Sequence, residues 1–341
     1  MNILYILGNG FDKAQGMATS YPEFYQYLMK NKGSIHLEQL KKDINENTEL
    51  WSDMEEALGK FTSQIFDANN FDDLYFELSE HLQNHLKNEE NNYNPSNEQK
   101  EKFIKDLIDP YTYIGETDLN NLNYLHRVEN KHRADSLSNV YNISIMTFNY
   151  TNTLEKLLPD GAVIGTGYNL YDYNYNIDKN YYLREVIHVH GQINDSIIIG
   201  VDNEDQIANE HFQQNADIKD LLVKEQSNRV MGTTRNEQCE SLIKRADVIL
   251  LFGVSLGETD ARWWNLIGKE FAKKELFIIQ HIFKQDYTEV PPTRKQLYGR
   301  IKRENRINIM KKLGFGEDPE TWPEGTDKRL FFITNSNLFK L

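Results

Sequence analysis

Polar and glycine-rich residues follow five short apolar runs of the chain. These runs end in Gly8-Asn9-Gly10-Phe11-Asp12, Thr147-Phe148-Asn149-Tyr150-Thr151, His188-Val189-His190-Gly191, Gly200-Val201-Asp202 and the stretch from Gly253 to Asp260. Such runs are typical of buried parallel strands. Ligands of open α/β sheets bind outside the carboxyl ends of the strands. We therefore expect one pocket to collect the polar side chains of these turns, namely Asn9, Asp12, Asn149, His190, Asp202, Ser255 and Asp260.

The first turn has the composition of a nucleotide-binding loop. Gly8 and Gly10 lack a Cβ atom, so the backbone can turn sharply there and approach a ligand closely. A strand that ends in glycines begins many nucleotide-binding α/β domains. The full G-x-G-x-x-G pattern is absent because Lys13 stands where the third glycine would be. A tight turn without a ligand is the open alternative.

His188 and His190 lie two residues apart on a predicted strand, so both side chains project from the same face. We interpret His190, at the strand end, as a general base. His188 is then a buried, hydrogen-bonded side chain beneath it. The alternative is a metal site with Asp202 as third ligand, but no H-x-x-H or H-E-x-x-H motif supports it, and we expect no metal. Glu55, which borders the apolar face of a helix, is a further candidate.

The composition restricts the class of protein. The chain has 341 residues, enough for one large domain or two smaller ones. Its formal net charge of −14 opposes non-specific binding to nucleic acid phosphates. Cys239 is the single cysteine, which excludes an intramolecular disulfide and a cysteine-rich zinc site. The apolar runs are too short to span a membrane, and the first has no signal-peptide flanks. These features predict a soluble, cytoplasmic protein.

The elements that position these turns fall into two groups. Residues 20–135 show helical periodicity without a strand, and we expect them to cap the carboxyl edge of a sheet. Strands alternate with helices in the rest of the chain, which is typical of a mostly parallel sheet. This pattern predicts an α/β fold, with a Rossmann-like sheet domain of residues 1–19 and 136–341 and an α-helical insertion. After the first strand, the predicted strands are Ile143–Phe148, Ala162–Gly165, Glu185–His190, Ser196–Val201, Asp247–Gly253, Leu276–Gln280 and Leu330–Thr334.

Local signals refine the helical assignments. Thr19–Glu23 contains a capping box, in which Ser20 and Glu23 exchange hydrogen bonds at the start of a helix. The stretch Lys87–Lys102 is almost wholly polar, so we expect an exposed loop there. Single helices are predicted over Asp205–Lys224 and Glu237–Arg245.

The motifs, taken in order, resemble those of the bacteriophage abortive infection AbiH family. The resemblance spans nearly the whole chain and implies a bacterial anti-phage defence protein. It rests on the stretches Ile6 to Asp12, Thr19-Ser20-Tyr21, Trp51 to Glu55, Phe148 to Thr151, His188 to Gly191 and Gly257 to Asp260.

The same motifs are similar, more distantly, to the sirtuin-like (SIR2-like) NAD-binding fold. There a glycine-rich first turn, a T-x-N-x-D strand end, an H-G pair and a G-T-S turn surround NAD. Two positions depart from that pattern, since Thr151 replaces the Asp of T-x-N-x-D and Phe11-Asp12 replace a small residue and a serine. The absent four-cysteine zinc module disfavours protein deacylation. The resemblance implies catalysis by Asn149 and His190, and we add Asp12, which could bind hydroxyls or stabilise positive charge. The expected ligand contacts are Gly8, Asn9, Gly10, Phe11, Gly191, Gly253, Ser255 and Asp260.

The resulting hypothesis is an NAD⁺ glycohydrolase of anti-phage defence, which releases nicotinamide and ADP-ribose. Two alternatives stay open. One is a non-catalytic nucleotide sensor, and the other is a metal-dependent hydrolase or nuclease that uses His188, His190 and Asp202. The expected partner is a small nucleotide. A phage-derived trigger and a homo-oligomer are compatible with the sequence, which specifies neither.

Overall fold

One twisted layer of parallel strands forms the centre of the molecule. A computed structural model describes residues 1–115, 118–136, 140–159, 168–169, 180–283 and 296–341 of the chain. In order across the sheet the strands are β3-β4-β2-β1-β5-β6-β7, and all neighbours are parallel except the two-residue β3, which is antiparallel to β4. The strands are β1 (Asn2–Leu7), β2 (Val140–Thr147), β3 (Tyr168–Asn169), β4 (Asn180–His188), β5 (Val248–Phe252), β6 (Phe277–Ile282) and β7 (Leu330–Thr334). The predicted Rossmann-like α/β fold is confirmed.

The register of the central strands brings the polar turns to one edge. Leu7 is level with Thr147 on one side and with Phe252 on the other. Thr147 is in turn level with His188. The four strands β4, β2, β1 and β5 therefore end together, and the turns that follow them meet at the carboxyl edge of the sheet.

Two of the predicted strands have no counterpart among β1 to β7. Ala162–Gly165 lies outside the described residues. Ser196–Val201 is wrong as a strand, since it forms only isolated bridges from Ile197 to Gly191 and from Val201 to Val223. Ile197, Ile199 and Val201 are buried against the helices of the first third of the chain, so burial and not sheet pairing explains this apolar run.

Helices surround the sheet on both faces. In chain order they are α1 (Gly10–Ala14), α2 (Tyr21–Leu28), α3 (Ile35–Glu46), α4 (Met54–Phe61), α5 (Ala68–Asn92), α6 (Asn97–Ile108), α7 (Leu119–Ser136), α8 (Thr153–Leu157), α9 (Glu210–Gln214), α10 (Ala216–Leu222), α11 (Lys224–Val230), α12 (Arg235–Arg245), α13 (Ala261–Lys273), α14 (Gln296–Lys312) and α15 (Thr326–Arg329). Within the described ranges, no helix is both long and apolar enough to cross a lipid bilayer.

The predicted capping box is confirmed, but two other local predictions for the helices are wrong. The Ser20 amide donates to Glu23 Oε2 at 2.9 Å, which confirms the capping box. The predicted exposed loop at Lys87–Lys102 is wrong, because α5 continues to Asn92 and α6 begins at Asn97. Polar residues there occupy the solvent face of two helices. The single helix predicted over Asp205–Lys224 is also wrong.

Asparagine side chains explain why that segment breaks into short helices. Asn209 Oδ1 accepts from the amides of His211 and Phe212 and caps α9. Asn215 Oδ1 accepts from the amides of Asp217 and Ile218 and caps α10. An asparagine that caps a helix has a non-helical backbone, so α9 cannot extend back past Asn209, and Asn215 separates α9 from α10.

Three hydrophobic clusters hold the layers together. The first packs α6 and α7 against one face of the sheet, and the second packs α12, α13 and α14 against the other. The third joins α2, α3, α4 and α5 to residues 193–223. Only this third cluster lies over the carboxyl ends of the strands, so the predicted cap is formed by α2 to α5. Helices α6 and α7 pack against a face of the sheet instead. The division into a sheet domain and an insertion of residues 20–135 stays a prediction.

Candidate active site

A cavity of about 290 Å³ opens at the carboxyl edge of the sheet. Its floor is built by the turns after β1, β2, β4 and β5, and its walls by the starts of α2 and α4 and by the middle of α5. The volume lies at the lower end of the range for small-molecule sites, which is roughly 300–1,000 Å³. The site is thus large enough for part of a dinucleotide.

Most of the predicted site residues line this cavity. Those that do are Gly8, Asn9, Asp12, Asn149, His190, Gly253, Ser255 and Asp260. Gly10, Phe11 and Gly191 are not in the lining, and neither is Asp202, which we also expected in this pocket. Phe11 is fully buried in the core, where its ring contacts those of Phe103 and Phe339. Successive residues of a helix point about 100° apart, so α1 turns Asp12 to the cavity and Phe11 away from it.

The glycines at the first turn serve the contact between two loops. A Cβ atom on Gly8 would lie 2.5 Å from the carbonyl oxygen of Gly253, and one on Gly10 would lie 2.4 Å from its Cα. The Gly8 amide donates to Phe252 O at 3.0 Å and the Gly10 amide to Gly253 O at 3.1 Å. These two amides are therefore not free to bind a pyrophosphate. The glycines permit close packing of the turns after β1 and β5.

A buried chain of charges leads from helix α4 to the histidine at the end of β4. His190 Nε2 lies 3.0 Å from Asp260 Oδ1, and the same oxygen accepts from Lys224 Nζ at 2.9 Å. Lys224 Nζ also donates to Glu55 Oε2 at 2.8 Å and to the carbonyl oxygen of Thr259 at 2.9 Å. All four charged or titratable side chains are at least 85% buried, with 15% exposure for Asp260 and less for the others.

These contacts determine the charge of each group. Burial acts to raise the pKa of Asp260, but Lys224 and His190 outweigh it and hold that pKa well below its usual range. Burial acts to lower the pKa of Lys224, but Asp260 and Glu55 raise it well above its usual range. Burial raises the pKa of Glu55, an effect that Lys224 opposes. Asp260 is therefore a permanent anion that orients His190.

A second polar group surrounds Asp12 on the opposite side of the cavity. The Thr151 hydroxyl donates to Asp12 Oδ2 at 2.6 Å. Asp12 Oδ1 and Asn149 Nδ2 are buried and have no hydrogen-bond partner among the described residues. The Asn149 amide is near enough to lower the pKa of Asp12, yet its geometry falls outside that of a hydrogen bond. His190 Nδ1 is likewise buried and unpaired.

A comparison with known protein families identifies the family to which the chain belongs. The family model of bacteriophage abortive infection AbiH matches residues 4–281, most of the chain and every turn described above. The chain belongs to the AbiH family. Among curated proteins, none matches it. Membership places the protein in anti-phage defence by abortive infection.

The two departures from the sirtuin-like pattern lie in contact in this AbiH protein. Thr151 stands where that pattern has an aspartate, and Asp12 stands where it has a serine. The Thr151 hydroxyl donates to Asp12 Oδ2 at 2.6 Å, and the Asn149 amide lies near the same carboxylate. The cavity therefore keeps a carboxylate beside Asn149.

The three side chains of the alternative metal site, His188, His190 and Asp202, contact different partners. His188 Nδ1 donates to the carbonyl oxygen of Asn149 at 2.8 Å, and its Nε2 lies 3.0 Å from Glu155 Oε1. His190 faces Asp260, and Asp202 accepts from the Arg262 amide. Among the described residues, no three such side chains form a group that could hold a metal ion. His188 instead holds the backbone of Asn149 in place.

Lys224 is the site residue that the sequence analysis missed. It follows the apolar run Leu221-Leu222-Val223, where it resembles any lysine at the end of a helix. Its two carboxylate partners are 169 and 36 residues away in the chain, so local pattern gave no signal. Glu55 was a candidate for the site, and the structure places it there with both oxygens engaged, since Oε1 accepts from the Gly200 amide at 3.4 Å. It anchors α4 to the network.

Asp12 gives a stability prediction that depends on pH. Burial raises the pKa of Asp12 to about 6, and the hydrogen bond from Thr151 opposes that rise. The folded protein thus binds more protons than the unfolded chain between the unfolded pKa of 3.8 and about pH 6. The stabilising contribution is complete below the lower value and is lost as the pH rises through the higher one. At about 1.4 kcal/mol per pKa unit, the loss is about 3 kcal/mol.

Asp12→Asn removes this titration, because an amide stays neutral and can still accept from Thr151. We expect urea denaturation to show the variant more stable than wild type at pH 8, with the difference disappearing near pH 4. Asp205→Asn, which alters an exposed carboxylate, is the control and should change little at either pH. Equal free energies of unfolding for Asp12→Asn and wild type at pH 8 would contradict the assignment of a buried carboxylate.

Proposed function

We propose that this AbiH protein hydrolyses the nicotinamide–ribose bond of NAD⁺ and so depletes the cofactor in an infected cell. The observation that carries the proposal is that Asp12, Asn149 and His190 line one cavity, and each has a buried polar atom with no hydrogen-bond partner among the described residues. Buried polar groups in folded proteins are almost always hydrogen-bonded, so these three are suited to a ligand.

The charge of the cavity supports a cationic substrate. Its lining includes the carboxylates of Asp12, Asp53, Glu55 and Asp260, and among the described lining residues there is no lysine or arginine. Lys224, behind the lining, offsets one of these four charges. Cleavage of an N-glycosidic bond passes through a transition state in which the ribose carries positive charge. Fixed carboxylates in a site that excludes water stabilise such charge without reorganisation.

His190 is the proposed general base. If Nε2 carries the proton and donates it to Asp260, the lone pair of Nδ1 is available to accept a proton from water. The water oxygen then forms a bond to the ribose carbon, while the bond to the nicotinamide nitrogen breaks and its electron pair neutralises the ring. The products are nicotinamide, ADP-ribose and the proton that His190 has taken. Such base catalysis contributes roughly 10²–10⁴-fold.

Asn149 and Asp12 are proposed to hold the ribose. Nδ2 of Asn149 can donate to a ribose hydroxyl or to the attacking water, and Oδ1 of Asp12 can accept from a hydroxyl. Rigid positioning of this kind converts binding energy into rate, because the reacting atoms are held in line before the bond breaks. The side chain of Asp12 is itself fixed by Thr151.

The pyrophosphate is assigned to the mouth of the cavity. The interior is acidic, the amides of Gly8 and Gly10 are engaged, and the volume of about 290 Å³ suits a nucleoside-sized fragment. The proposal therefore places the nicotinamide and its ribose inside and leaves the phosphates and adenosine towards solvent.

The test is to follow free nicotinamide and ADP-ribose while purified protein is incubated with NAD⁺, with and without extract of phage-infected cells. We expect both products in equal amounts, unaffected by EDTA. Binding of NAD⁺ without either product, even with extract present, would instead support the nucleotide sensor. Loss of activity on chelation would support the metal-dependent enzyme.

A further inference from the structure

A second groove lies at the opposite, amino-terminal edge of the sheet. Its volume is about 320 Å³, and it is formed by the beginnings of β1 and β2, the middle of β4 and the carboxyl end of α12. The guanidinium groups of Arg184 and Arg245 line it, together with the carboxylate of Glu185. The proposed cleavage of NAD⁺ uses none of these residues.

An irregularity in β4 creates this arrangement. Ile143 pairs with Leu183 and Ser144 pairs with Glu185, so Arg184 is an extra residue in the ladder, as in a β-bulge. Consecutive side chains of a regular strand point to opposite faces. At a bulge the extra residue redirects a side chain, and such bulges occur preferentially near functional sites. Here it brings Arg184 and Glu185 into the same groove.

A chain of hydrogen bonds runs from the side chain of Arg184 to the backbone of Arg245. Arg184 Nε donates to Asn142 Oδ1 at 2.8 Å, and Asn142 Nδ2 donates to Asn2 Oδ1 at 3.0 Å. Asn2 Nδ2 donates to the carbonyl oxygen of Arg245 at 3.0 Å. The Arg184 guanidinium also lies over the ring of Tyr182, 4.8 Å from its centroid. The Arg184 guanidinium is thus positioned before any ligand arrives, whereas the Arg245 guanidinium is held by its ion pair with Glu185.

The groove has unused capacity to donate hydrogen bonds. Glu185 pairs with Arg245 and neutralises one of the two cations. The terminal nitrogens Nη1 and Nη2 of Arg184 make no hydrogen bond or ion pair with any described residue. Ser144 is buried, and its hydroxyl likewise has no partner in the described part of the chain. One cation therefore remains uncompensated, in a protein whose formal net charge is −14.

We propose that this groove binds the phosphate group of a small molecule through Arg184, Arg245 and Ser144. A guanidinium presents parallel N–H donors that match two phosphate oxygens. The groove lies on β2 and β4, the two strands whose carboxyl ends carry Asn149 and His190. It is a site for a second ligand, separate from the cavity at the other edge.

The test is calorimetry with inorganic pyrophosphate and, in a second arm, ADP. Arg184→Gln should weaken binding of the probe by at least about tenfold, the equivalent of about 1.4 kcal/mol. The glutamine can still donate to Asn142, so the variant should fold, as its melting temperature would show. Arg229→Gln, which removes the same charge from an exposed helix, is the matched control and should bind as wild type does.

The two arms distinguish the source of the phosphate. Tighter binding of ADP than of pyrophosphate, with the same dependence on Arg184, identifies a nucleotide, and equal binding identifies a free phosphate compound. The absence of binding to wild type, or equal binding by wild type and Arg184→Gln, would overturn the proposal. The second result would place any bound phosphate outside this groove.

Discussion

Lys224→Met is expected to lower the free energy of unfolding by about 3–5 kcal/mol, the usual cost of removing one partner of a buried ion pair. The ammonium group satisfies Asp260 and Glu55 together, and both carboxylates are buried. Methionine has a similar length but no charge, so it leaves two anions facing each other away from water. Urea denaturation measures the loss directly.

Two further variants isolate the cause. Lys42→Met removes an exposed lysine of an i,i+4 pair with Glu46 and should cost about 0.5 kcal/mol or less. The double variant Lys224→Met/Glu55→Gln should regain part of the lost stability, since one of the stranded anions is gone. A loss below about 1 kcal/mol for Lys224→Met would show that the network is not energetically coupled.

His190→Ala is expected to reduce the turnover number for NAD⁺ by roughly 10²–10⁴-fold, the range for a lost general base. Asp260 keeps its ion pair with Lys224 in this variant, so the variant should fold and still bind NAD⁺. His211→Ala changes an exposed histidine on α9 and should keep full turnover. A folded His190→Ala protein with less than a tenfold decrease would remove His190 from the reaction.

The cavity could be predicted in outline because strand ends are readable from sequence. An apolar run followed by glycine or a polar residue marks the carboxyl end of a buried parallel strand, and parallel strands end at one edge. Asn149 and His190 were found by this rule. The rule also included Asp202, which is not in the cavity lining. The sirtuin-like resemblance added Phe11, because sequence does not show how a five-residue helix orients its side chains. The structure turns Phe11 into the core.

Long-range partners could not be predicted from local pattern. The hydrogen bond from Thr151 to Asp12 joins residues 139 positions apart. In the sequence, both residues differ from the sirtuin-like pattern, and nothing nearby connects them. Lys224 is the clearer case, because the charge that determines its role comes from two other segments. The run Ser196–Val201 failed for a related reason, since its burial comes from packing against helices and not from strand pairing.

We propose that the unpaired polar atoms of the cavity bind the substrate, and the variant Asn149→Ala tests this role most directly. Asn149 Nδ2 makes no hydrogen bond among the described residues and acts on the Asp12 carboxyl only as a nearby dipole, so its removal should cost little stability. We predict a melting temperature close to that of wild type and loss of nicotinamide release from NAD⁺. A soluble Asn149→Ala protein that releases nicotinamide at the wild-type rate would contradict the account. So would a wild-type protein that releases none in the presence of its phage trigger.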